Sequence, residues 1–538
     1  MSRSEGANRR NQSRGFAIGL FAGLLAIGAF ALGSAVPASA SSTVKTKAGS
    51  IQGVEMFGLD AFLGIPYATP PVKAMRWKPP KVHAKFKGVF QATQFGNFCM
   101  QPGTVAGTMS EDCLTLNVFR PIGTSKQAGL PVMVWIHGGG LVSGGSYLYD
   151  PSPLVLNGNV IVVTINYRLG LLGFFAHPAI DAEGHRNGNY GFMDQQLALK
   201  WVKHNIKAFG GDPTRVTIFG ESAGGQSVLC NLASPTAAGL FQRAIEESGA
   251  YLEFQFYYSF ITTLAGGEKT GTAQVPSGTT IADSVGCSSQ TAACLRALPA
   301  STLVGADPAT SFPFVDGTIL TETPPAAITS GHFNRVPVIS GTNHDEWRVF
   351  VNGQYGGSLV TETDYENAVL ALWTGFFDAA VLSAYPLDSY PNGGIALGAS
   401  GTDGIYACPA RNAAQLLSRF VATYAYEFND ENAPDLENPT PAFPLGSYHG
   451  AEVQYLFDIN LRFSGTDPFT ADQQQLSDAM ISYWTTFAAN GDPNSSGEPV
   501  WSPYSTVADE FQSLVPPMPV VESNFNADHK CTAVWSGL

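Results

Sequence analysis

The chain has 538 residues, of which 44% are hydrophobic and only 13% are charged, and its formal net charge at pH 7 is −14. A chain of this length can bury a large core, and long α/β enzymes often fold as one unit. The acidic balance, without a basic cluster beyond residue 20, argues against a nucleic-acid partner.

The first 40 residues have the pattern of an export signal. Basic residues precede an apolar run over residues 16–32, and Ala38-Ser39-Ala40 matches an A-x-A cleavage site. We therefore expect cleavage after Ala40 and a secreted mature protein without stable membrane association. An uncleaved anchor is the alternative, because the apolar run is near the short limit for a membrane span.

The first half of the mature chain alternates between strands and helices. Short alternating runs up to residue 125 predict antiparallel strands. Apolar, β-branched runs at residues 130–135 and 160–166 predict buried strands, and residues 189–209 have helical spacing. This order predicts an α/β fold in which helices flank a large, mostly parallel sheet, as one domain over residues 41–538.

A second β-rich run, residues 216–219, leads into a Gly-x-Ser-x-Gly pentapeptide with Ser222 at its centre. This pattern is typical of a nucleophile elbow, a tight turn that exposes a serine at a helix N-terminus. We expect φ > 0 at Ser222, and glycine at 220 and 224 because a Cβ there would collide with neighbouring elements. An ordinary glycine-rich turn with an incidental serine is the alternative.

The second half is less regular. Residues 252–278, first aromatic and then Gly/Thr-rich, predict a surface excursion. Residues 336–341 and 421–428 predict strands, residues 365–385 and 478–487 predict helices, and residues 393–404 predict a glycine-rich loop.

A serine nucleophile needs a base that takes its proton and an acid that orients the base. In an α/β-hydrolase these follow the serine in the order acid, then histidine, each after a strand. Asp345 and Glu346 follow one predicted strand, and His449 follows the next. The spacing alone does not separate Asp345 from Glu346. Glu221 is a candidate pocket carboxylate or, equally, a structural acid.

The stretch Trp-Ile-His-Gly-Gly-Gly at residues 135–140 ends an apolar strand. It matches the glycine-rich loop whose N–H groups stabilise an oxyanion, and a merely flexible glycine loop is the alternative. His137 lies upstream of the serine, in the wrong order for the base, so we interpret it as a structural loop residue.

The seven cysteines of an exported chain make disulfides plausible. Cys230, on the helix after the elbow, is left as a buried free thiol. No Cys/His cluster has zinc spacing, so neither a metal site nor a cofactor is expected. The candidate pairs are Cys99 with Cys113, Cys287 with Cys294, and Cys408 with Cys531.

Six motifs, in order along the chain, resemble the type-B carboxylesterase/cholinesterase family. The resemblance implies an α/β-hydrolase fold and a serine carboxylesterase that acts on small ester substrates. It implies Ser222 as nucleophile, Glu346 as triad acid and His449 as base. The motifs occupy residues 110–117, 135–140, 166–170, 188–195, 209–213 and 220–225.

The resemblance also implies further residues of the site and scaffold. The oxyanion donors would be the N–H groups of Gly139, Gly140 and Ala223. The family's disulfides imply the pairs Cys99–Cys113 and Cys287–Cys294, and also Cys408–Cys531. Its structural ion pairs imply Arg76–Glu111 and Arg168–Asp194.

Some residues depart from the family pattern. The loop between Cys99 and Cys113 is short and polar and contains no tryptophan, which argues against choline esters and against a lipase lid. Leu141, Glu247 and Trp347 also differ from the usual residues. A lipase, a non-catalytic binding module and a peptidase remain alternatives, and the sequence leaves acyl length, alcohol and oligomeric state open.

Overall fold

The computed structural model describes residues 40–105, 107–185, 188–250, 259–260, 277–306, 313–373, 378–435, 440–459 and 469–536. The predicted export signal lies outside the described residues, apart from Ala40. The same holds for most of the predicted surface excursion at residues 252–278.

One sheet of 13 strands organises the described residues. Numbered along the chain, its strands are β1 (Ala40–Thr46), β2 (Gly49–Met56), β3 (Leu59–Pro66), β4 (Val89–Gln91), β5 (Thr115–Pro121), β6 (Leu130–Ile136), β7 (Ile161–Ile165), β8 (Gly211–Glu221), β9 (Arg243–Glu247), β10 (Val338–Asn343), β11 (Thr423–Phe428), β12 (Phe511–Leu514) and β13 (Val520–Glu522).

The spatial order is β1-β2-β3-β5-β7-β6-β8-β9-β10-β11-β12-β13, and β4 pairs with β2 beside this path. Neighbouring strands from β7 to β12 are parallel. The remaining pairs of this path, towards its two edges, are antiparallel. Because parallel strands end at one edge of a sheet, the loops after β6, β8, β10 and β11 meet there. The predicted α/β-hydrolase fold is confirmed.

Both faces of the sheet are buried. Along β6, Val134 packs into one apolar layer and Trp135 into the other, since successive side chains of a strand point to opposite faces. The helices Tyr190–Asn205 and Ala223–Ala233 contribute to the first layer, and Ala471–Asn490 contributes to the second. Burial on both faces explains why the central strands are almost continuously apolar.

Helices cover the two faces. Among the described helices, none has the length and apolar character needed to cross a bilayer. The α-helices span Ser152–Gly158, Gly170–Gly173, Pro178–Asp181, Tyr190–Asn205, Ala223–Ala233, Gly278–Ser284, Ala292–Ala297, Ala300–Ala306, Pro324–Ser330, Arg348–Tyr355, Glu362–Leu372, Asp378–Ala384, Gly393–Gly401, Cys408–Leu417, Ala471–Asn490 and Phe525–Asp528.

The prediction of a loop at residues 393–404 was wrong. An α-helix, Gly393–Gly401, leads directly into a π-helix, Thr402–Ala407. Glycine is unfavourable in a helix when only local propensity is considered. Here it permits close packing, because a Cβ on Gly394 would lie 2.4 Å from Cε1 of Phe443. Tertiary contacts therefore stabilise a helix that the composition argued against.

The single helix predicted at residues 365–385 was also wrong. The structure describes two helices there, Glu362–Leu372 and Asp378–Ala384. Trp373 ends the first helix with φ −113° and ψ 30°. The last predicted helix, by contrast, extends beyond residues 478–487 to Ala471–Asn490, because Thr470 and Gln473 form a capping box at its start.

Three disulfides join the cysteine pairs expected from the sequence. They connect Cys99 with Cys113, Cys287 with Cys294, and Cys408 with Cys531. Cys230 is a buried free thiol, and burial raises its pKa well above the ordinary value.

Candidate active site

Ser222 occupies a strained turn between β8 and the helix Ala223–Ala233. Its φ is 57° and its ψ is −123°, a conformation uncommon outside glycine. The turn is held on both sides, because Ser222 N donates to the carbonyl of Glu247 (2.9 Å) and the Ser222 carbonyl accepts from Gln226 N (2.8 Å). The backbone therefore has the geometry of a nucleophile elbow.

The two glycines of the pentapeptide lie where no side chain fits. A Cβ on Gly220 would lie 2.4 Å from the carbonyl oxygen of Ile136, and a Cβ on Gly224 would lie 2.0 Å from the same atom. Contacts this short would force the backbone to move. The elbow thus packs directly against the end of β6, as the sequence predicts.

The glycine loop continues from β6 and passes beside the serine. A Cβ on Gly138 would lie 3.2 Å from Cβ of Ser222. Gly139 and Gly140 have φ of +97° and +64°, and Ser143 N donates to the carbonyl of Gly139 (2.9 Å). The loop is therefore a defined turn next to Ser222.

Ala223 lies at the N-terminus of the helix after the elbow. The first four N–H groups of a helix have no acceptor within it, and the helix dipole favours negative charge there. The predicted oxyanion donors therefore lie on two segments that meet at Ser222: the glycine loop and this helix start.

His137 is part of the support for this loop. Its Nδ1 lies 2.9 Å from the carbonyl oxygen of Gly138, and its ring stacks on Tyr167 at 4.5 Å. Burial lowers the pKa of His137 to about 4, so the ring is neutral at physiological pH. These contacts agree with its interpretation as a structural residue.

His449 and Glu346 lie together in the loops after β11 and β10. Nδ1 of His449 is 2.5 Å from Oε2 of Glu346. The other oxygen, Oε1, accepts hydrogen bonds from Asn343 N and from the hydroxyl of Thr342, both at 2.8 Å. The carboxylate is fully buried, so these donors fix its orientation towards the histidine.

Asp345, the other candidate for the triad acid, has different partners. Its Oδ1 pairs with Nη2 of Arg348 at 2.7 Å, and its Oδ2 accepts from Ser447 N at 3.1 Å. The structure therefore directs Glu346, and not Asp345, towards His449.

Glu221 contacts the opposite side of the histidine ring. Its Oε1 lies 3.2 Å from Nε2 of His449. Burial raises the pKa of Glu221 to about 7, with a further increase from Glu346, while His449 acts in the opposite direction. Glu221 directly precedes Ser222, so this contact brings the histidine ring to the elbow.

More buried acids surround Glu346 and His449 than the sequence indicated. Glu452 Oε2 accepts a hydrogen bond from Asn343 Nδ2 at 2.5 Å, and burial raises its pKa well above the ordinary value. Burial also raises the pKa of Glu246 to about 7 and that of Glu247 to about 8. No sequence motif signalled that these side chains would be buried together.

Two aromatic rings beside the histidine were also missed. Phe350 and Tyr406 have ring centroids 5.1 and 5.0 Å from that of His449. Tyr406 belongs to the π-helix Thr402–Ala407, which directly follows the helix Gly393–Gly401. The ring of Trp347 lies over Gly401, where a Cβ would be 2.2 Å from its Cγ. Phe350 and Tyr406 lie on different helices that are distant in the sequence. They meet at His449 only because the fold brings these helices together.

Two ion pairs, one buried and one partly buried, support the surrounding loops. Arg76 pairs with Glu111, and Arg168 pairs with Asp194, each at 2.7 Å. Both are the pairs that the family resemblance implied. Among the described residues, one group of histidines and acids could hold a metal ion: His344, Glu427 and His529.

The arrangement has the components of acyl transfer. A strained serine, a glycine loop and a helix N-terminus lie together, and a histidine at the same elbow is oriented by a buried carboxylate. A histidine paired with a carboxylate can accept and return a proton near neutral pH. N–H groups at such a turn can stabilise negative charge on a carbonyl oxygen.

Comparisons with known proteins indicate the same chemistry. A profile described as "Carboxylesterase family" matches residues 40–532. The chain is 33% identical over 505 residues to "Pyrethroid hydrolase Ces2e" of Rattus norvegicus, covering 86% of this chain and 84% of that protein. It is 34% identical over 492 residues to "Liver carboxylesterase" of Sus scrofa (82% and 83%), and 34% identical over 482 residues to "Cocaine esterase" of Homo sapiens (82% and 81%).

Proposed function

Since this chain belongs to the carboxylesterase family and is a carboxylic ester hydrolase, we propose that it is a secreted serine carboxylesterase that acts through an acyl-enzyme on Ser222. His449 is the base and Glu346 the acid of the triad. The observation that carries this proposal is the contact between Glu346 and His449 beside the strained elbow of Ser222.

The reaction has two steps. Ser222 Oγ attacks the ester carbonyl while Nε2 of His449 takes its proton, and Glu346 stabilises the resulting imidazolium. The imidazolium then protonates the departing alcohol. Water attacks the acyl-enzyme by the same route, and the acid product leaves with Ser222 regenerated.

The N–H groups of Gly139, Gly140 and Ala223 stabilise the oxyanion in both steps. Support comes from the position of the glycine loop against Ser222 and from the place of Ala223 at a helix start. Donors fixed before the reaction cost no reorganisation as charge develops, which is why such loops contribute strongly to catalysis.

Small, uncharged or weakly charged esters are the proposed substrates. The loop closed by the disulfide Cys99–Cys113 has a sequence separation of only 14, which supports an open entrance without a lipase-type lid. Two of the relatives are named for different substrates, a pyrethroid and cocaine, so the relatives support the reaction class and not one substrate.

We also propose export, with the mature protein beginning after Ala40 and residues 41–538 forming one catalytic domain. The three disulfides are compatible with an oxidising compartment. One sheet whose strands run from Ala40 to Glu522 supports a single domain.

Hydrolysis of p-nitrophenyl esters from acetate to palmitate tests the proposal, with Ser222→Ala beside the wild type. We expect a preference for short chains, and a loss of at least about 10³-fold in kcat for Ser222→Ala with an unchanged Tm. Replacement of an exposed serine, Ser330→Ala, is the control and should retain full activity. A Ser222→Ala variant with more than a tenth of the wild-type kcat would refute the nucleophile. A rise towards long chains at an oil interface would favour a lipase.

A further inference from the structure

A second cluster of titratable side chains lies outside the proposed triad. His344 follows β10, Glu427 belongs to β11, and His529 follows the helix Phe525–Asp528. One nitrogen from each histidine and one carboxylate oxygen all lie within 4.8 Å of one another. The three residues come from distant parts of the chain, so no sequence spacing could have indicated them.

The two imidazole rings converge on a single oxygen atom. Nδ1 of His344 lies 2.9 Å from Oε1 of Glu427, and Nε2 of His529 lies 2.5 Å from the same atom. Neutral imidazole nitrogens and a carboxylate oxygen are ligands that Zn²⁺ prefers, and two histidines with one glutamate form a known zinc ligand set.

His529 and Glu427 also contact residues outside the cluster, and contacts of this kind orient the ligands in metal sites. Nδ1 of His529 lies 2.6 Å from Oδ1 of Asp403, so the second ring nitrogen faces a carboxylate. In metal sites this arrangement fixes the ring tautomer and makes the first nitrogen a better ligand. Oε2 of Glu427 accepts from Asn429 Nδ2 at 3.0 Å, which fixes the carboxylate as well.

The charges of the cluster are compatible with a divalent cation. Asp403 and Glu427 are both buried and contact opposite nitrogens of the His529 ring. Without an ion, protons on His344 and His529 compensate these two carboxylates. A divalent ion that displaces the two protons facing Glu427 brings two positive charges in their place. Compensation matters because an unbalanced buried charge is costly.

We propose that His344, Glu427 and His529 form a binding site for a divalent transition-metal ion of the Zn²⁺ type, with Asp403 orienting His529. The ion takes the places of two protons that face Glu427, the one on Nε2 of His529 and the one on Nδ1 of His344, and both pass to solvent. Each ring then binds as a neutral imidazole, with its remaining proton on Nδ1 of His529 and on Nε2 of His344. Water completes the coordination from the side of His344.

The present separations are close to those that zinc requires. Ligands about 2.1 Å from a tetrahedral ion lie about 3.4 Å from each other. The two nitrogen–oxygen distances must therefore increase by less than about 1 Å. The side chain of His344 is 36% exposed, whereas those of Glu427 and His529 are 3% exposed, so His344 has space to adjust and leaves a route for the ion.

An occupied site would join three segments. His344 precedes Glu346 by two residues, Glu427 is in the neighbouring strand, and His529 lies near the disulfide that involves Cys531. The ion would therefore connect the loop that carries the triad acid to the C-terminal segment. We expect it to stabilise the fold without touching the substrate.

Isothermal titration with ZnCl₂ tests the site on the purified chain, prepared without a histidine tag and dialysed first against a chelator. We expect one Zn²⁺ per chain, and at least about tenfold weaker binding in His344→Gln. The matched control is His332→Gln, since His332 is an exposed histidine that also contacts a glutamate, Glu322, at 3.0 Å. This control should bind zinc like the wild type.

Thermal unfolding gives a second readout that is independent of activity. Saturating zinc should raise the Tm of the wild type and of His332→Gln by about 2 to 3 °C and leave that of His344→Gln unchanged. Absence of zinc binding by the wild type would overturn the proposal. So would equal zinc affinity in the wild type and His344→Gln.

Discussion

Oε1 of Glu221 lies 3.2 Å from Nε2 of His449, the ring nitrogen opposite the one that contacts Glu346. An ionised Glu221 therefore stabilises the protonated histidine, which is inactive as a base. Because burial raises the pKa of Glu221 to about 7, the negative charge of Glu221 varies over the neutral range, and the strength of this interaction varies with it.

Replacing Glu221 by Gln should move the acidic limb of the kcat/KM profile to lower pH. The substitution removes the negative charge that favours the imidazolium, so the neutral, active histidine persists into more acidic solution. The profile is measured with p-nitrophenyl acetate, and exposed Glu366→Gln is the control. A limb that stays in place or moves to higher pH would contradict the interpretation.

Glu346→Gln and Asp345→Asn should have very different effects. The amide introduced by Glu346→Gln cannot orient the histidine as a carboxylate does, so we expect kcat to fall by about 10³- to 10⁴-fold. Asp345→Asn loses the ion pair with Arg348 but should retain kcat within about tenfold, because the carboxylate contacts Arg348 and Ser447 N and does not orient the histidine. Measuring kcat of both variants by steady-state kinetics shows which of the two acids orients the histidine. Equal losses would refute the assignment of Glu346.

Glu247→Gln should stabilise the protein in mildly alkaline solution. Burial raises the pKa of Glu247 from 4.5 to about 8, so between these values the folded chain retains a proton that the unfolded chain releases. Stability therefore falls as pH rises from about 4.5 to about 8, and the glutamine removes this loss. It also keeps an oxygen acceptor for Nε1 of Trp484, which contacts Glu247 at 2.8 Å.

The measurement for Glu247→Gln is Tm at about pH 5 and about pH 8. The gain over the wild type should be about 2 °C or more at the higher pH and smaller at the lower pH. Exposed Glu366→Gln should give no such difference. A gain that is the same at both pH values would show that Glu247 does not titrate as described.

Removal of two disulfides should have unequal effects on stability. The pair Cys408–Cys531 spans a sequence separation of 123, whereas Cys287–Cys294 spans 7. If disulfides act mainly on the entropy of the unfolded chain, their removal costs about 5 and about 2 kcal/mol respectively. Paired Cys→Ala variants, compared by Tm, should therefore rank in this order. The reverse order would show that local packing outweighs chain entropy.

The elbow could be predicted from the sequence because its cause is local. Gly220 and Gly224 are required by the approach of one strand to the turn, and a strand, a pentapeptide and a helix start are all visible within about fifteen residues. The same is true of the glycine loop, whose composition reflects its positive φ values. Steric requirements within a short segment can therefore be recognised from its sequence.

Features that depend on contacts between distant segments could not be predicted from the sequence. The choice between Asp345 and Glu346 depends on Arg348 and on the loop that carries His449. The helix at residues 393–407 forms because its glycines allow neighbours to approach, and glycine alone predicts a loop. Burial of Glu246, Glu247 and Glu452 near Glu346 and Glu221 depends on the order of strands in the sheet. These features became visible only in three dimensions.

The contact between Trp347 and Gly401 constrains how the sequence around the site can change. The indole fills the space where residue 401 would carry a Cβ. Any side chain at 401 would clash with the indole in this packing, so tryptophan at 347 requires glycine at 401. A smaller residue at 347 would remove that requirement. The two positions are therefore expected to vary together among close homologues, and a library that diversifies one must diversify both.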